Sequence, residues 1–460
     1  MLKELEHRPA IGLAACLVLG LIAREFLPTL LLITLPVFVY VWRPSPSRTV
    51  MVFALTIAFT LGLILAPRRL QTIKESARFE GVIQVTSAPI LYDENISFLV
   101  DTPEGPLKAT LKDRPFIFFG ETLKVIGKVK PPWEGNDVND TLSQTRGRLA
   151  IDTFQVQQEP KIFAWGEQIR RNFINFAEAQ FPPQVAHVVS AICFNVGSLL
   201  DDDTKDQLRR TGTIHIISAS GLHVLIIAGF LAAILTKLRI PRIILIGVLA
   251  LLLGIYAIST GMNPPIVRAV IMILVGSMAY LFRRDPDHLS SLALSGILYL
   301  LWRPDDIYSI GFQLSFIVVG AFALYLAETP QKKGWQGLIA KYTMATVVAT
   351  AASFGLLAYA FGQVSVVSIL ANLLIEMAVA GILIGAFVAF TCNSVAPLLA
   401  SWICKAFVLG LVGWLLAVIE LTSKPSFAVI HFPEFSGYLL VILYGAMLAT
   451  WRPKVRPANA

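Results

Sequence analysis

His215 and His223 bracket the run His215-Ile-Ile-Ser-Ala-Ser-Gly-Leu-His223, in which Ser218, Ser220 and Gly221 stand between two imidazoles. Hydroxyls and imidazoles donate and accept hydrogen bonds, and a serine close to a histidine is also the minimal kit for nucleophilic chemistry. The run leads directly into the apolar stretch Val224-Leu-Ile-Ile-Ala-Gly-Phe-Leu-Ala-Ala-Ile-Leu235. Polar groups are costly in hydrocarbon, so in such a segment they face a protein interior or a watery cavity and mark a pathway. A packing seam is the second reading, because Ser, Gly and Ala permit close helix approach and Ser or His can bond across helices. Gly221 and its serines are poor helix-interior residues and predict a broken or tightly packed helix. Hydrolysis by a Ser–His pair is a third reading. It needs an orienting group and an oxyanion site, and no Gly-x-Ser-x-Gly turn occurs in the chain.

The elements that would hold these residues are membrane helices. Of 460 residues, 55% are hydrophobic and 15% charged, and the mean hydropathy is +0.68, which excludes an ordinary soluble domain. Apolar runs predict spans at 9–23, 27–42 and 50–66. Beyond a polar interval come 213–235, 243–258, 265–282, 288–302, 308–327, 342–361, 365–390, 399–421 and 437–449, about twelve in all. With the N-terminus cytoplasmic, the loops holding Arg43 and Arg48, Lys237, Arg239 and Arg242, Arg283 and Arg284, and Lys332 and Lys333 all fall inside. So does the tail with Arg452, Lys454 and Arg456. That asymmetry follows the positive-inside rule, with Arg68 and Arg69 as exceptions, and it places the long polar stretch outside the cytoplasm. The net charge of +8 is thereby mostly topological.

Lys3 and Arg8 before the first apolar run resemble a signal peptide, but no small-residue cleavage site follows, so an uncleaved anchor is expected. Cys16, Cys193, Cys392 and Cys404 are scattered and form no CxxC or zinc spacing.

Between residues 77 and 157 the pattern shifts to alternation and turns. Strands are predicted at 78–86, 96–101, 107–112, 122–129 and 149–156, broken at Asp93-Glu-Asn95, Pro103-Glu-Gly105, Gly120 and Pro131-Pro132. Five short strands suit a small barrel such as an OB-fold, with a sandwich or a meander as alternatives. From Lys74 to Glu159 ten basic residues stand against thirteen acidic ones, a net charge of about −3, without the domain-wide basic footprint that phosphate binding asks for. A local basic groove remains open, with Lys108, Lys112 and Arg114 as contacts and Phe98 and Trp133 as stacking platforms. Half-buried strand aromatics also serve as core.

Ile162, Trp165, Ile169, Phe173 and Phe176 then trace an amphipathic helix. Asp201-Asp-Asp203 ahead of Thr204 reads as a capped helix start or, less well matched in ligand spacing, a cation site. The expected organisation is an N-terminal membrane region at 1–70 and an extracytoplasmic OB-like domain at 71–160. Amphipathic or interfacial helices at 161–212, a membrane core of about nine spans at 213–451 and a basic cytoplasmic tail at 452–460 follow.

With these residues in view the chain resembles the ComEC-type competence proteins. The resemblance is carried by Thr211-Gly-Thr-Ile-His-Ile-Ile-Ser-Ala-Ser-Gly-Leu-His-Val224, by Gly261-Met-Asn-Pro-Pro-Ile-Val-Arg-Ala269, by Pro304-Asp-Asp-Ile-Tyr-Ser-Ile-Gly-Phe-Gln-Leu-Ser-Phe316 and by Asn372-Leu-Leu374. The stretch Pro132-Trp-Glu-Gly-Asn-Asp-Val-Asn139 follows the family pattern only loosely, and Ile375-Glu-Met377 stands where a proline is expected.

The resemblance implies a polytopic helical protein of the inner membrane, both termini cytoplasmic, with an outside OB-fold. It implies a channel passing single-stranded DNA into the cytoplasm during natural transformation. Many relatives carry a metallo-β-lactamase-like domain with a His-x-His-x-Asp-His motif. His7, His187, His215, His223, His288 and His431 form no such cluster, so the expectation is a short form that is not an enzyme and holds no metal or cofactor. Expected partners are single-stranded DNA, the lipid bilayer, an extracytoplasmic DNA receptor, a separate nuclease and a cytosolic motor or single-strand-binding protein. A homo-oligomer is a further expectation.

A conduit for a polyanion needs hydrogen-bond donors that do not hold it too tightly. His215, Ser218, Ser220, Gly221, His223, Arg268, Gln313, Ser315, Asn372 and Glu376 are the pathway candidates. Arg268 reads equally as the structural partner of an acid such as Glu376, and Gln313 and Asn372 as interhelical bonds. No Walker sequence occurs. A small-solute transporter is the alternative, though it leaves the outside β-domain unexplained.

Overall fold

The computed structural model describes residues 13–15, 17, 18, 73, 75–86, 90–92, 95–103, 105–112, 117, 120–131, 146–158, 161–217, 220–281, 288–325, 334–432, 439 and 444. The spans predicted at 27–42 and 50–66, most of those at 9–23 and 437–449, and the basic tail lie outside these residues. So do Cys16, Arg114, Trp133 and Ser218.

Six strands come first: β1 Ala77–Val85, β2 Ile90–Tyr92, β3 Asn95–Asp101, β4 Leu107–Lys112, β5 Thr122–Lys130 and β6 Arg148–Gln158. Helices follow: α1 Lys161–Gln180, α2 Pro183–Phe194, α3 Asp202–Arg210, α4 Gly221–Lys237, α5 Arg242–Ser259, α6 Pro264–Leu281, α7 His288–Trp302 and α8 Ile310–Tyr325. Then come α9 Trp335–Phe361, α10 Ser368–Cys392, α11 Pro397–Ile403 and α12 Leu409–Ser423, with a short pair β7 Gln363–Ser365 and β8 Val429–His431. The chain divides into two compact units, Met1–Asn172 with Ala219–Gln313, and Phe173–Ser218 with Leu314–Ala460.

In the first unit the strands close on themselves. β1 pairs antiparallel with β5 and β3, β3 with β4, and β5 with β6, while β4 and β6 run parallel. Followed around the barrel, the order is β1-β3-β4-β6-β5 and back to β1, with β2 added on β3. This is a five-stranded OB-like barrel, and its one parallel pair and closure rule out a sandwich or meander. Each predicted strand falls within two residues of an observed one, and of the six strands in this sheet only β2 was not anticipated.

Alternation drives the closure. Ile83, Val85, Phe98, Val100, Leu107, Ala109, Leu123, Val125 and Leu149 point inward and form one core, as period-2 side-chain alternation requires. Phe98 is 2% exposed. It is core and offers no stacking platform, so its place as a DNA-contact candidate is corrected here.

Beyond the barrel, α4 packs on α5 and α6, α5 on α6, and α6 on α7. The α5–α6 reversal turns on Gly261 and Met262, both at positive φ. Thr260 closes the last turn of α5 by donating to the Tyr256 carbonyl at 3.0 Å. The start of α1 crosses α5 closely: a Cβ on Gly166 would lie 2.6 Å from Ile258 Cγ2.

In the second unit Phe173, Phe176, Phe194, Phe387 and Phe390 form one aromatic cluster joining the end of α1, α2 and α10. Gly381 and Gly385, four apart on α10, let Leu411, Phe407 and Val408 approach the helix backbone. This is the small-residue spacing by which apolar helices associate without a hydrophobic driving force. The chain from Pro397 to Ser423 is one long apolar rod with a π turn at Cys404–Val408.

Among the described residues four helices are long and apolar enough to cross a membrane: Arg242–Ser259, Ala340–Phe361, Ser368–Cys392 and Pro397–Ser423. Gly221–Lys237, Pro264–Met278, His288–Trp302 and Ile310–Ala323 are shorter apolar helices. The protein is thus a polytopic α-helical membrane protein bearing a small β-barrel.

Asp201 caps α3. Its carboxylate accepts from the Thr204 N–H and hydroxyl, both at 2.9 Å. Partial burial would raise its carboxyl, but the bonds from Thr204 prevail and hold it below the usual range. The cap therefore contributes fully above the ordinary carboxylate pKa and is lost as pH falls through the lowered one. Asp201→Ala should cost about 1 kcal/mol, whereas Asp201→Asn should retain most of it. Thermal melting of the detergent-purified protein at neutral pH reads the difference.

Candidate functional site

The segment read as a span from residue 213 begins its helix only at Gly221. Before it, Ile214–Ile216 forms a single tight turn, and Ser220 is the extended N-cap residue of α4. The break expected from Gly221 and the serines is present, and it separates the two histidines.

His223 closes the start of α4. Its Nδ1 accepts the Ser220 backbone N–H at 2.8 Å and lies 3.3 Å from Ser220 Oγ. In a neutral imidazole that accepts at Nδ1, the proton sits on Nε2. The Nδ1 lone pair that would have to take a serine proton is engaged by a backbone N–H, so the pair is arranged for capping rather than nucleophilic attack.

Gly221 faces α6. A Cβ on Gly221 would lie 3.4 Å from Ala269 Cβ, which seats the helix start beside Arg268. Arg268 is 3% exposed. Its Nη2 donates to the Gly311 carbonyl at 2.8 Å. Its guanidinium carbon lies 5.6 Å from the Tyr299 ring centre and 5.2 Å from that of Phe312. Planar guanidinium suits such a slot, since it stacks on aromatic faces and carries several directed donors. Nε and Nη1 of Arg268 have no hydrogen-bond partner among the described residues.

Asp306 supplies negative charge next to this cation. Its carboxylate accepts a short bond from the Tyr299 hydroxyl and lies 3.5 Å from Arg303 Nη2. Arg303 in turn donates from Nη1 to the Thr86 carbonyl at 3.1 Å, in the segment leaving β1. A chain of contacts therefore runs from the barrel through Arg303, Asp306 and the Tyr299 hydroxyl, and the face of the Tyr299 ring carries it on to Arg268. Gln313 ties down the same region by donating to the Ile307 carbonyl at 3.1 Å.

In the first unit, then, three of the singled-out segments meet: Ser220–His223, Arg268–Ala269 and Pro304–Gln313. The second unit holds the remaining candidates. His215 Nδ1 lies 3.2 Å from the Gly212 carbonyl. Gly212, at φ +70°, approaches Ser365 and Ser368 so closely that a Cβ would sit 2.9 Å from each of their Cβ atoms. Asn372 is buried on α10 and its carbonyl accepts from the Tyr342 hydroxyl at 3.4 Å. Glu376 lies one turn beyond Asn372 on α10, and Ser315 is half-buried on α8.

Arg268 directs its hydrogen bond to the Gly311 carbonyl, and the Asp306 carboxylate acts on it through charge alone. Tyr299, Arg303 and Asp306 were not singled out by the sequence reading. The signal was present in Pro304-Asp-Asp306, but nothing local shows that its acid takes the hydroxyl of a tyrosine on the preceding helix. On the barrel, Lys112 is exposed and Lys108 half-buried on β4.

Residues 192–457 match a family model described as "Competence protein". In Bacillus subtilis (strain 168), "ComE operon protein 3" is 25% identical over 381 residues, 78% of this chain and 48% of that protein. An "Uncharacterized protein" of Aquifex aeolicus (strain VF5) is 35% identical over 121 residues, 26% of this chain and 28% of that protein. The chain therefore spans about half the length of the first of these relatives. No solved structure matches.

Proposed function

From the premise that this chain belongs to the competence protein family, we propose that it serves DNA uptake in natural transformation by passing one strand across the cytoplasmic membrane. The barrel lies on the outer side and both termini on the inner side, as the loop charges require. The observation that carries the reading is the gathering of three motif segments around Arg268, a buried cation with two uncommitted donors, inside a bundle of apolar helices. Intramembrane ionisable groups of this kind mark substrate pathways. Hydrogen-bond donors that contact phosphate only transiently suit a polymer that must keep moving.

In this reading the Ser220–His223 pair makes no covalent change to the strand. The engagement of His223 Nδ1 by a backbone N–H supports that view. Pulling, degradation of the second strand and delivery of the duplex then belong to partners: a cytosolic motor or single-strand-binding protein, a nuclease and an outside receptor.

The test follows fluorescent duplex DNA in a transformable strain lacking the protein. DNase-protected signal should accumulate outside the cytoplasmic membrane and be absent from the cytosol. Cytosolic arrival at the parental level would reject the channel and leave solute transport as the reading to pursue.

A further inference from the structure

The barrel sequence is acidic as a whole, yet its cations are not spread evenly. On the outer face of β1, β5 and β6, Arg78, Lys124, Lys128 and Lys130 are exposed and Arg148 is half-buried. Register sets Arg78 directly opposite Lys128, and Lys130 directly opposite Arg148. Like charges facing one another across a ladder destabilise a sheet. Among the described residues Arg78, Lys124, Lys128 and Lys130 form no ion pair that would relieve this. Glu80, opposite Ile126, and Asp152, at the bulge in β6, are the acids on this face. Arg148 is tied into the fold, its Nε donating to the Pro131 carbonyl at 3.1 Å, whereas an anionic ligand would relieve the repulsion among the other four cations.

The spacing favours a polymer of phosphates. Alternate residues on a strand lie about 6.6 Å apart and neighbouring strands about 4.8 Å, so the four paired cations occupy a patch roughly 10 Å across. A hollow of about 500 Å³ opens between Arg78, Lys128 and Asp152. Described aromatic side chains are missing from this face: Phe79 packs against the core, and Phe154, though 36% exposed, pairs with the inward Val125 and so lies on the opposite face of its strand. Single strands are held largely by stacking on aromatics, while a duplex turns its phosphates outward and binds non-specifically through them alone.

We propose that the outer face of β1, β5 and β6 docks the sugar-phosphate backbone of duplex DNA, without regard to its sequence, ahead of strand passage. Its choice of polyanion rests on the DNA-uptake reading. The face is distinct from the β3–β4 face that carries Lys108 and Lys112, the side on which OB-folds commonly hold oligonucleotides.

The test uses the full chain in neutral-lipid nanodiscs and a short fluorescent duplex, with affinity measured by anisotropy between 50 and 200 mM NaCl. Four phosphate contacts give a log–log salt slope of about −3.6, a loss of roughly 150-fold over that range. Lys128→Gln with Lys130→Gln should flatten the slope to about −1.8, a loss of roughly 12-fold. Glu80→Gln removes an acid from the same face and should tighten binding, a gain that misfolding cannot mimic.

The proposal is overturned by an unchanged slope in the double variant, or by an equal flattening in Lys112→Gln. Loss of single-strand binding with duplex binding intact also overturns it. Absence of duplex binding in neutral discs would do the same, and would leave anionic headgroups as the ligand of this face. Expected slopes in a protein whose deletion spares cytosolic DNA arrival would keep the docking face and reject the channel; an unchanged slope with blocked arrival would reject the face alone.

Discussion

Arg268→Ala should abolish cytosolic DNA arrival and lower the protein's stability together. The substitution removes the bond to the Gly311 carbonyl and the cation between the Tyr299 and Phe312 rings, while Asp306 keeps Arg303 as its neighbouring cation. Losing a hydrogen bond from a charged group costs about 1.5–3 kcal/mol, and the space left between the two rings adds to that. Thermal melting in detergent and membrane abundance register that part. Arg268→Lys separates stability from transport. An ammonium keeps the charge and can reach a carbonyl, but it has neither the planar stack nor the extra directed donors. Abundance should largely recover, while uptake stays depressed by tenfold or more, since each hydrogen bond from a charged group is worth about 1.5–3 kcal/mol. Wild-type uptake in Arg268→Lys would mean that Nε and Nη1 take no part in passage and that Arg268 is a structural residue.

The second large effect belongs to the barrel. A Cβ on Gly127 would stand 2.2 Å from the Ala150 carbonyl oxygen and 3.0 Å from Ile151 Cα. Both are backbone atoms of the paired strand, so no side chain can swing aside. The position also adjoins the register shift between Ile126 and Gly127 at which β6 accommodates its extra residue, and bulges concentrate twist at such points. Gly127→Val should cost about 3 kcal/mol or more, a large share of the stability of a small domain. Limited proteolysis of intact membranes should cut the barrel of the variant rapidly while the helices persist. Protease resistance equal to wild type would show that the β5–β6 ladder yields at this point and that the close approach is not a constraint.

These two sites differ in how far the sequence announces them. The strands around Gly127 follow from period-2 alternation, which is a local property, and each was placed within two residues. Closure into a barrel was one of three arrangements these strands allowed, and what selects it is a parallel pairing of Lys108–Leu111 with Arg148–Ile151, segments far apart in the chain. Phe98 shows the same limit: an aromatic in an alternating strand can face either side, and only closure of the barrel puts it inside. Gly221 was legible as a helix break because glycine and serine are weak in helix interiors wherever they occur. The role of His223 was not, since a capping imidazole and a catalytic one share composition and spacing.

Charge makes the division plainest. Counted along the chain, ten basic and thirteen acidic residues of the β-region nearly cancel and argue against a phosphate site. Arranged on a barrel, five of those bases share one face. By itself the sequence determined the apolar helices, the β-region with its strands, and the motif segments that mark the family, all of which rest on short-range pattern. Only the tertiary structure decided that Arg268 bonds the Gly311 carbonyl between the Tyr299 and Phe312 rings, that Ser220 and His223 form a cap, and that cations gather on β1, β5 and β6. Each of these depends on which distant segments are brought within a few ångströms, where hydrogen bonds and Coulomb interactions act and where sequence separation no longer measures distance.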